Sequence, residues 1–371
     1  MFWLSIYFNH FHWITSKQNI DDCWSEKERD SNGRIHEDPK RFPRGLNFLS
    51  REIHNMGLLL GIYSDIGTKT CAGYPGLEGH FEQDAQSFAE WEIDSIKVDC
   101  CYSDSRDYNV TYPAFGKALN QTGRPILYAC SWPYGDTNSH HGEDPDILNH
   151  GISKSCNQWR NYYDIFDNWI NVLSKIDYWT RNSSEDVLVR AAGPGHFNDP
   201  DMLVIGNPGL SISEQQAQFC LWAIFAAPLL ISADLTTMPQ ESANILLNKE
   251  VIAVNQDIMG RQGWCAQGGP SDLFRVYVRE LVPTSGQPCP KGESDTWAVV
   301  LANFNTIFRE REIAFDPKRH LPHGDQWNRY DVRDLLLHED FGKGVSGPFK
   351  VWVDESSVHM YKVTRLHSTF S

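Results

Sequence analysis

The sequence predicts an α/β protein: a parallel β/α barrel or large open sheet, followed by an antiparallel β-sandwich. Two observations carry that reading, a cadence repeated seven times up to about residue 260 and its replacement after Gly260. In each repeat a short apolar run ends in a polar cluster and an amphipathic stretch follows. The runs end at Ile20-Asp21-Asp22, Tyr63-Ser64-Asp65, Val98-Asp99, Ala129-Cys130-Ser131, Trp159-Arg160-Asn161, Asn198-Asp199 and Ser232-Ala233-Asp234. Spacings of roughly 30 to 45 residues accommodate a strand, a loop and a helix. Helices are expected over 46–56 and 84–93, where apolar residues recur at three and four. The polar cluster always falls at the strand's carboxyl end, where barrel enzymes keep their chemistry.

Beyond Gly260 the segments 272–281, 296–305, 311–315, 330–337, 349–354 and 358–366 are short and partly alternating, and glycine- and proline-containing turns separate most of them. Alternation of that kind, over about 110 residues, is the pattern of a sandwich. The expected division is an atypical segment 1–18, a catalytic barrel 19–260 and a sandwich 261–371. No run approaches 18 uncharged apolar residues, so no membrane span is expected.

The chain has 371 residues, with 33 Lys and Arg against 48 Asp and Glu, for a formal charge of −15. Such a surface repels a phosphate backbone, which argues against a nucleic-acid partner. Charging all 14 histidines near pH 5 moves the formal sum to about −1, a balance suited to an acidic compartment. Nine cysteines is an odd number, so at least one thiol is free or pairs with another chain. None forms a CxxC pair, and His10/His12 and His140/His141 lack acidic or cysteine partners at ligand spacing; neither a metal nor a cofactor is expected. The sequons at Asn109, Asn120 and Asn182, beside so many cysteines, lean towards an oxidising, secretory history. No signal peptide is evident, because Met1 to Trp13 lacks a basic start and is broken by Asn9, His10 and His12.

Lys97 and Asp99 share a strand face because side chains alternate, and a lysine there would keep the carboxylate ionised and nucleophilic. The plain alternative is a buried ion pair. Asp164, with Arg160 near it, could bind substrate or act as an acid, or simply cap a helix. Asp21-Asp22 beside Trp24 suits sugar hydroxyls with an aromatic ring over the apolar sugar face; a calcium pair or a turn is the alternative. Asn198-Asp-Pro-Asp201 also reads as a tight turn, Glu310-Arg-Glu312 as a solvated strand face, and Cys220 as a buried free thiol.

Taken together these groups resemble the lysosomal α-galactosidase and α-N-acetylgalactosaminidase family of retaining glycoside hydrolases. The matching blocks are Asn19-Ile-Asp-Asp-Cys-Trp24, Asp38-Pro-Lys-Arg-Phe-Pro43, Gly61-Ile-Tyr-Ser-Asp65 with Thr70-Cys-Ala-Gly-Tyr-Pro75, Lys97-Val-Asp99, Cys130-Ser-Trp-Pro133, Trp159-Arg-Asn161, Ala192-Gly-Pro-Gly195, Asn198-Asp-Pro-Asp-Met202 and Val254-Asn-Gln-Asp257. The resemblance is strong over about residues 19–262 and weak over the sandwich. It implies a (β/α)8 TIM barrel with Asp99 as nucleophile and Asp164 as acid/base. Asp21, Asp22, Tyr63, Lys97 and Arg160 would grip the sugar hydroxyls, with Cys101 and Met202 lining the pocket. Disulfides Cys71–Cys101 and Cys130–Cys156, a homodimer, and a lysosomal or secreted setting are implied with them. A retaining mechanism needs its two carboxyls about 5–5.5 Å apart.

Sugar choice in the family turns on the loop after strand five, which here reads Ser131-Trp-Pro-Tyr134-Gly135. Ser131 is the small choice that leaves room for an N-acetyl group, while Tyr134 makes the loop shorter or differently filled. Terminal α-N-acetylgalactosamine is therefore expected as substrate, with α-galactose second. The resemblance fails in two places. Residues 1–18 lack the family's first βα unit, as a truncated or alternative product would; a strand through 2–8 could stand in for it, and otherwise two sheet edges are exposed. Cys100 stands where the family has Gly, where it could crowd the turn or compete with Cys101 for Cys71. The rival expectation is an inactive relative that binds sugars or a partner subunit; an aldolase using Lys97 is a distant third.

Overall fold

The computed structural model describes residues 2–9, 13–132, 151–181, 187–270, 272–306 and 310–366, with side chains from residue 17 onward. Tyr134, the Asn182 sequon, His10, His12, His140 and His141 lie outside the described residues. The chain divides into two compact units. The first comprises Met1–Tyr163, Gly195–Asp201 and Pro228–Ile231; the second comprises Asp164–Pro194, Met202–Ala227 and Ser232–Ser371.

The first unit is built on an eight-stranded sheet. Its strands are β1 (Phe2–Asn9), β2 (Trp13–Ile20), β3 (Leu59–Asp65), β4 (Ser95–Asp99), β5 (Leu127–Cys130), β6 (Gln158–Arg160), β7 (Phe197–Asp199) and β8 (Leu229–Ile231). All seven runs read from the sequence are strands, and the polar cluster ends or follows each of them. The order is β7-β6-β5-β4-β3-β2-β1-β8, with β2 to β7 parallel. β1 is antiparallel to both its neighbours, so β8 runs the same way as β2. This is a β/α-barrel sheet in which one strand, β1, runs against the other seven. The apolar runs bury Leu60, Ile62, Ile96, Val98 and Trp159.

Helices α1 (Leu46–Asn55), α2 (Phe81–Glu90), α3 (Tyr108–Gln121) and the short α4 (Ser153–Ser155) join these strands. The first matches its expected span to one residue. The second starts three residues before the expected 84, because Phe81 packs inward on Phe115. Asn109 and Asn120 are exposed on α3, open to a glycan. Gly67, in the loop after β3, has no room for a side chain: a Cβ there would lie 2.3 Å from the Cys101 carbonyl oxygen. That close approach brings the loop against the end of β4.

The second unit contains α5 (Trp169–Thr180), α6 (Val187–Ala191), α7 (Ile212–Ile224), α8 (Gln240–Leu246), α9 (Lys249–Asn255) and α10 (Pro317–His320). Its strands are β9 (Trp264–Gln267), β10 (Phe274–Glu280), β11 (Thr296–Asn303), β12 (Arg311–Phe315), β13 (Tyr330–Asp334), β14 (Glu339–Val345), β15 (Phe349–Val353) and β16 (Ser357–Arg365). They form an antiparallel six-stranded sheet, β14-β13-β16-β11-β10-β9, and a two-stranded sheet, β12-β15. Val276, Val278, Trp297, Val299, Leu301, Ile313, Phe315, Tyr330, Val353 and Val363 make the core between them. β11 is buried along both faces because α7 covers the side away from this core. α7 itself opens on a capping box, the Ser211 side chain taking the Glu214 N–H while Glu214 takes the Ser211 N–H. Cys220 on α7 is fully buried with its thiol free.

Candidate active site

The acids of the first unit gather at the carboxyl ends of β2 to β7. Alternation along β4 puts Lys97 and Asp99 on one face, and the parallel register sets Tyr63 of β3 beside Lys97. The Tyr63 hydroxyl donates to Asp99 Oδ2 at 3.1 Å. Lys97 Nζ stands 4.0 Å from the same oxygen and 5.2 Å from the centre of the Tyr63 ring. Lys97 and Asp99 thus form an ion pair that is only partly covered, the Lys97 side chain 40% exposed and that of Asp99 20%.

Burial works against the Asp99 charge, but Lys97, a hydrogen bond from Ser131, Arg160 and the Tyr63 hydroxyl outweigh it and hold the carboxyl below its ordinary range. Lys97 is likewise kept protonated: burial opposes its charge, and Asp99, Asp21 and Asp201 more than restore it. Tyr63 is pushed up by burial and the surrounding acids and stays a donor. The result is one ionised carboxylate with an accessible edge and fixed donors around it.

The backbone behind Asp99 is held from α3. Tyr112 donates to the Asp99 carbonyl at 3.0 Å and Tyr108 to that of Cys100 at 3.2 Å. The Cys100 N–H returns to Asp99 Oδ1 at 3.0 Å. Cys100 requires no left-handed backbone, which in this turn falls on Tyr102 at φ 49°, so a side chain is tolerated there. Cys71 is bonded to Cys101 and not to Cys100, whose free thiol is pushed up to about 12 by burial and Asp99. Asp65, at the end of β3, accepts the N–H groups of Gly67 and Cys101, both at 2.9 Å, and joins the two loops. Burial raises its carboxyl to about 8. Asp65, Cys71 and Cys101 have the spacing of a metal cluster, but the two sulfurs are already joined to each other.

Asp22 is partly committed to structure: one oxygen takes the Cys23 N–H at 2.6 Å and the other the Ala72 N–H at 2.9 Å. Asp21 takes the Asp22 N–H at 2.8 Å, so the pair does form a turn, tied to the Cys71 loop. Trp24 does not lie open as a sugar platform. It is buried, with Nε1 donating to the Tyr63 carbonyl at 2.7 Å, and it supports the strand beneath the site. Arg160 pairs with Asp201 at 2.8 Å, and Gln158 donates to Asp199 at 2.5 Å. Asn198-Asp-Pro-Asp201 is a turn, with the Asp201 N–H on Asp199 and φ 83° at Asp201, and it also supplies the arginine's partner. Ser131 is buried at the end of β5, and a second disulfide joins Cys130 to Cys156.

Asp164 and Met202 belong to the second unit. Asp164 is exposed, its carbonyl held by Lys175 Nζ at 3.0 Å and Asn171 Nδ2 at 3.4 Å. It is not the helix cap that the sequence left open: Asn168 caps α5, accepting the Asn171 N–H. Met202 gives its carbonyl to Gln218 at 3.2 Å. Tyr112, Asp65 and Asp201 are the residues whose work the sequence did not disclose. Asp201 stood within a recognised block, but nothing local to Tyr112 marks it.

A parallel sheet with its acids at the strand ends, one ionised beside a lysine, defines a β/α-barrel protein built for carboxylate chemistry. The family described as alpha galactosidase A matches over residues 13–257, and the chain belongs to that family. It is 50% identical over 247 residues to an alpha-N-acetylgalactosaminidase of Gallus gallus, covering 66% of this chain and 59% of the relative. It is 45% identical over 289 residues to alpha-galactosidase A of Homo sapiens, covering 78% of this chain and 63% of that protein. The chain thus spans about three-fifths of these relatives. Among solved structures, alpha-galactosidase I of Mortierella vinacea superposes with a TM-score of 0.79 at 28% identity, covering 93% of this chain and 86% of that one.

Proposed function

We propose that this chain is an exo-acting retaining α-glycosidase that removes terminal α-linked N-acetylgalactosamine, and second to it galactose, from glycoconjugates. The observation that carries the reading is Asp99: ionised, exposed at one edge, and gripped by Lys97 and Tyr63 at the end of β4. Asp99 attacks the anomeric carbon and the glycosidic oxygen leaves with a proton from Asp164. Water then releases the sugar with Asp164 acting as base. Asp21, Asp22, Arg160, Cys101 and Met202 bind the sugar, and Ser131 and Tyr134 set the choice at its C2 position. Membership of a family whose named relatives include both glycosidases supports activity over an inactive sugar-binding relative.

Two disulfides and two exposed sequons support an oxidising, lysosomal or secreted setting. No helix among the described residues is long and apolar enough to cross a membrane. We assign the catalytic barrel to 19–260, the sandwich to 261–371, and a homodimer as the working assembly.

The test is hydrolysis of paired chromogenic α-GalNAc and α-Gal substrates at mildly acidic pH. Asp99→Asn and Asp164→Asn should each lose turnover while remaining folded. Faster cleavage of the N-acetylated substrate supports the Ser131 argument, and cleavage of the galactoside alone refutes it. A folded parent without turnover would favour the inactive relative.

A further inference from the structure

The peptide that joins Asp99 to Cys100 is held at both of its polar ends. Its N–H turns back onto Asp99 Oδ1 at 3.0 Å, so the plane of this peptide sets the rotation of the carboxylate beside it. Its carbonyl oxygen takes two donors, the Ile66 N–H at 3.0 Å from the loop after β3 and the Tyr112 hydroxyl at 3.0 Å from α3. A buried carbonyl has two lone pairs and needs one partner to avoid a penalty. Ile66 supplies that partner, so the second bond is not required to satisfy the backbone. Tyr112 is fully buried, its ring stacked 5.9 Å from that of Trp132 and 6.4 Å from that of Tyr128, and edge-on to Tyr108 at 5.3 Å. A ring packed in this way aims its hydroxyl along one line. Burial pushes the phenol far above its ordinary range, so it is a donor at neutral and acidic pH alike.

We propose that Tyr112 is a positioning residue for the glycosidase reaction: by fixing the Asp99–Cys100 peptide it sets the angle at which the carboxylate meets the anomeric carbon. The inference rests on the reading of Asp99 as nucleophile. Oδ1 is tied to the Cys100 N–H, while Oδ2 faces the Tyr63 hydroxyl at 3.1 Å and Lys97 Nζ at 4.0 Å. A tilt of the peptide swings both oxygens together, and a misplacement of about 1 Å costs about a hundredfold in rate. Lys97 and Arg160 act on the charge of the carboxylate. Tyr112 acts on its direction, since its bond ends on the backbone carbonyl.

The experiment isolates the attack by Asp99, using the whole chain and a ring-fluorinated α-galactosyl fluoride. An Asp99 oxygen bonds to the anomeric carbon as the C–F bond breaks, and fluoride departs without a proton from Asp164. The ester releases its sugar slowly, so intact mass counts the labelled chains and their rate of appearance reports the attack. Tyr112→Phe removes one oxygen and keeps the ring; it should label to the parental extent but at least about tenfold more slowly. Tyr128→Phe removes a hydroxyl of the same stack that meets the Tyr112 carbonyl and not Asp99, and it should label at about the parental rate. In steady state Tyr112→Phe should lower kcat while the acid limb of the pH profile stays in place. A parental labelling rate in Tyr112→Phe, an equal slowing in Tyr128→Phe, or a loss of labelled extent in place of rate assigns Tyr112 to packing alone and overturns the proposal. A parent left unlabelled at Asp99 would instead refute the assignment of the nucleophile, and this inference with it.

Discussion

Asp99 keeps its charge because Lys97, Ser131, Arg160 and Tyr63 together exceed the cost of its burial. Its reactivity should therefore fail only at low pH, and the lysine should set where. In Lys97→Met the acid limb of the kcat/KM profile should move to higher pH by about one unit or more. A profile that falls in height without moving would show that Lys97 binds substrate but does not hold the charge of Asp99. Asp65 behaves in the opposite sense. Its folded carboxyl is raised to about 8, so between about 4 and 8 the folded state binds the proton more readily than the unfolded chain. Stability from this group is full below its unfolded value and is lost as pH rises towards 8. Lys17, lowered to about 7 by burial against the pull of Asp94, alters stability only above that pH. Thermal melts at pH 5 and pH 7 should therefore show a smaller decline in Asp65→Asn than in the parent, and an identical decline would disprove the assignment.

At the scale of elements, β1 is the departure with most consequence. Its backbone pairs along all eight residues with β2, and Leu4, Ser5 and Ile6 also pair with β8. Without it, β2 and β8 would each present an unpaired edge, which sheets seldom leave exposed. A proline at position 5 removes an N–H from the middle of a strand paired on both sides. Ser5→Pro should destabilise the first unit by about 3 kcal/mol, visible as a lowered denaturation midpoint. An unchanged midpoint would mean that β1 adds nothing to the sheet. The strands the sequence failed to disclose have physical reasons of their own. β9 is four residues long beside Gly263 and Gly268, and β14 reads Glu-Asp-Phe-Gly-Lys-Gly-Val, mostly exposed at the sheet edge. Both are strands because a neighbour pairs with them, which no local alternation records. The same holds for Asp164, whose competing role as a cap disappears only when Asn168 is seen to fill it.

For the molecule as a whole, charge is the governing quantity. The formal −15 at pH 7 declines as histidines charge, and the isoelectric point is about 5.3. Light scattering across pH 4.5–8 should find self-association strongest near that point and least at neutral pH, where net charge keeps copies apart. If association instead peaks at neutral pH and resists salt, a specific apolar interface is responsible, which would suit the proposed dimer.

The sequence by itself determined seven of the eight strands of the first sheet, the acids that end them and the family blocks between, because apolar runs and strand-end clusters are local and need no partner to be read. It also determined that Lys97 and Asp99 share a face, since side-chain alternation is a property of one strand. Only the tertiary structure decided what those groups do to one another. Arg160 takes Asp201 from another strand's end, Tyr112 reaches the Asp99 carbonyl from α3, and Trp24 goes under the site instead of lining it. The reason is that a buried charge or N–H must find a partner wherever the packed chain brings one within about 3 Å, and that distance is set by strand order and register.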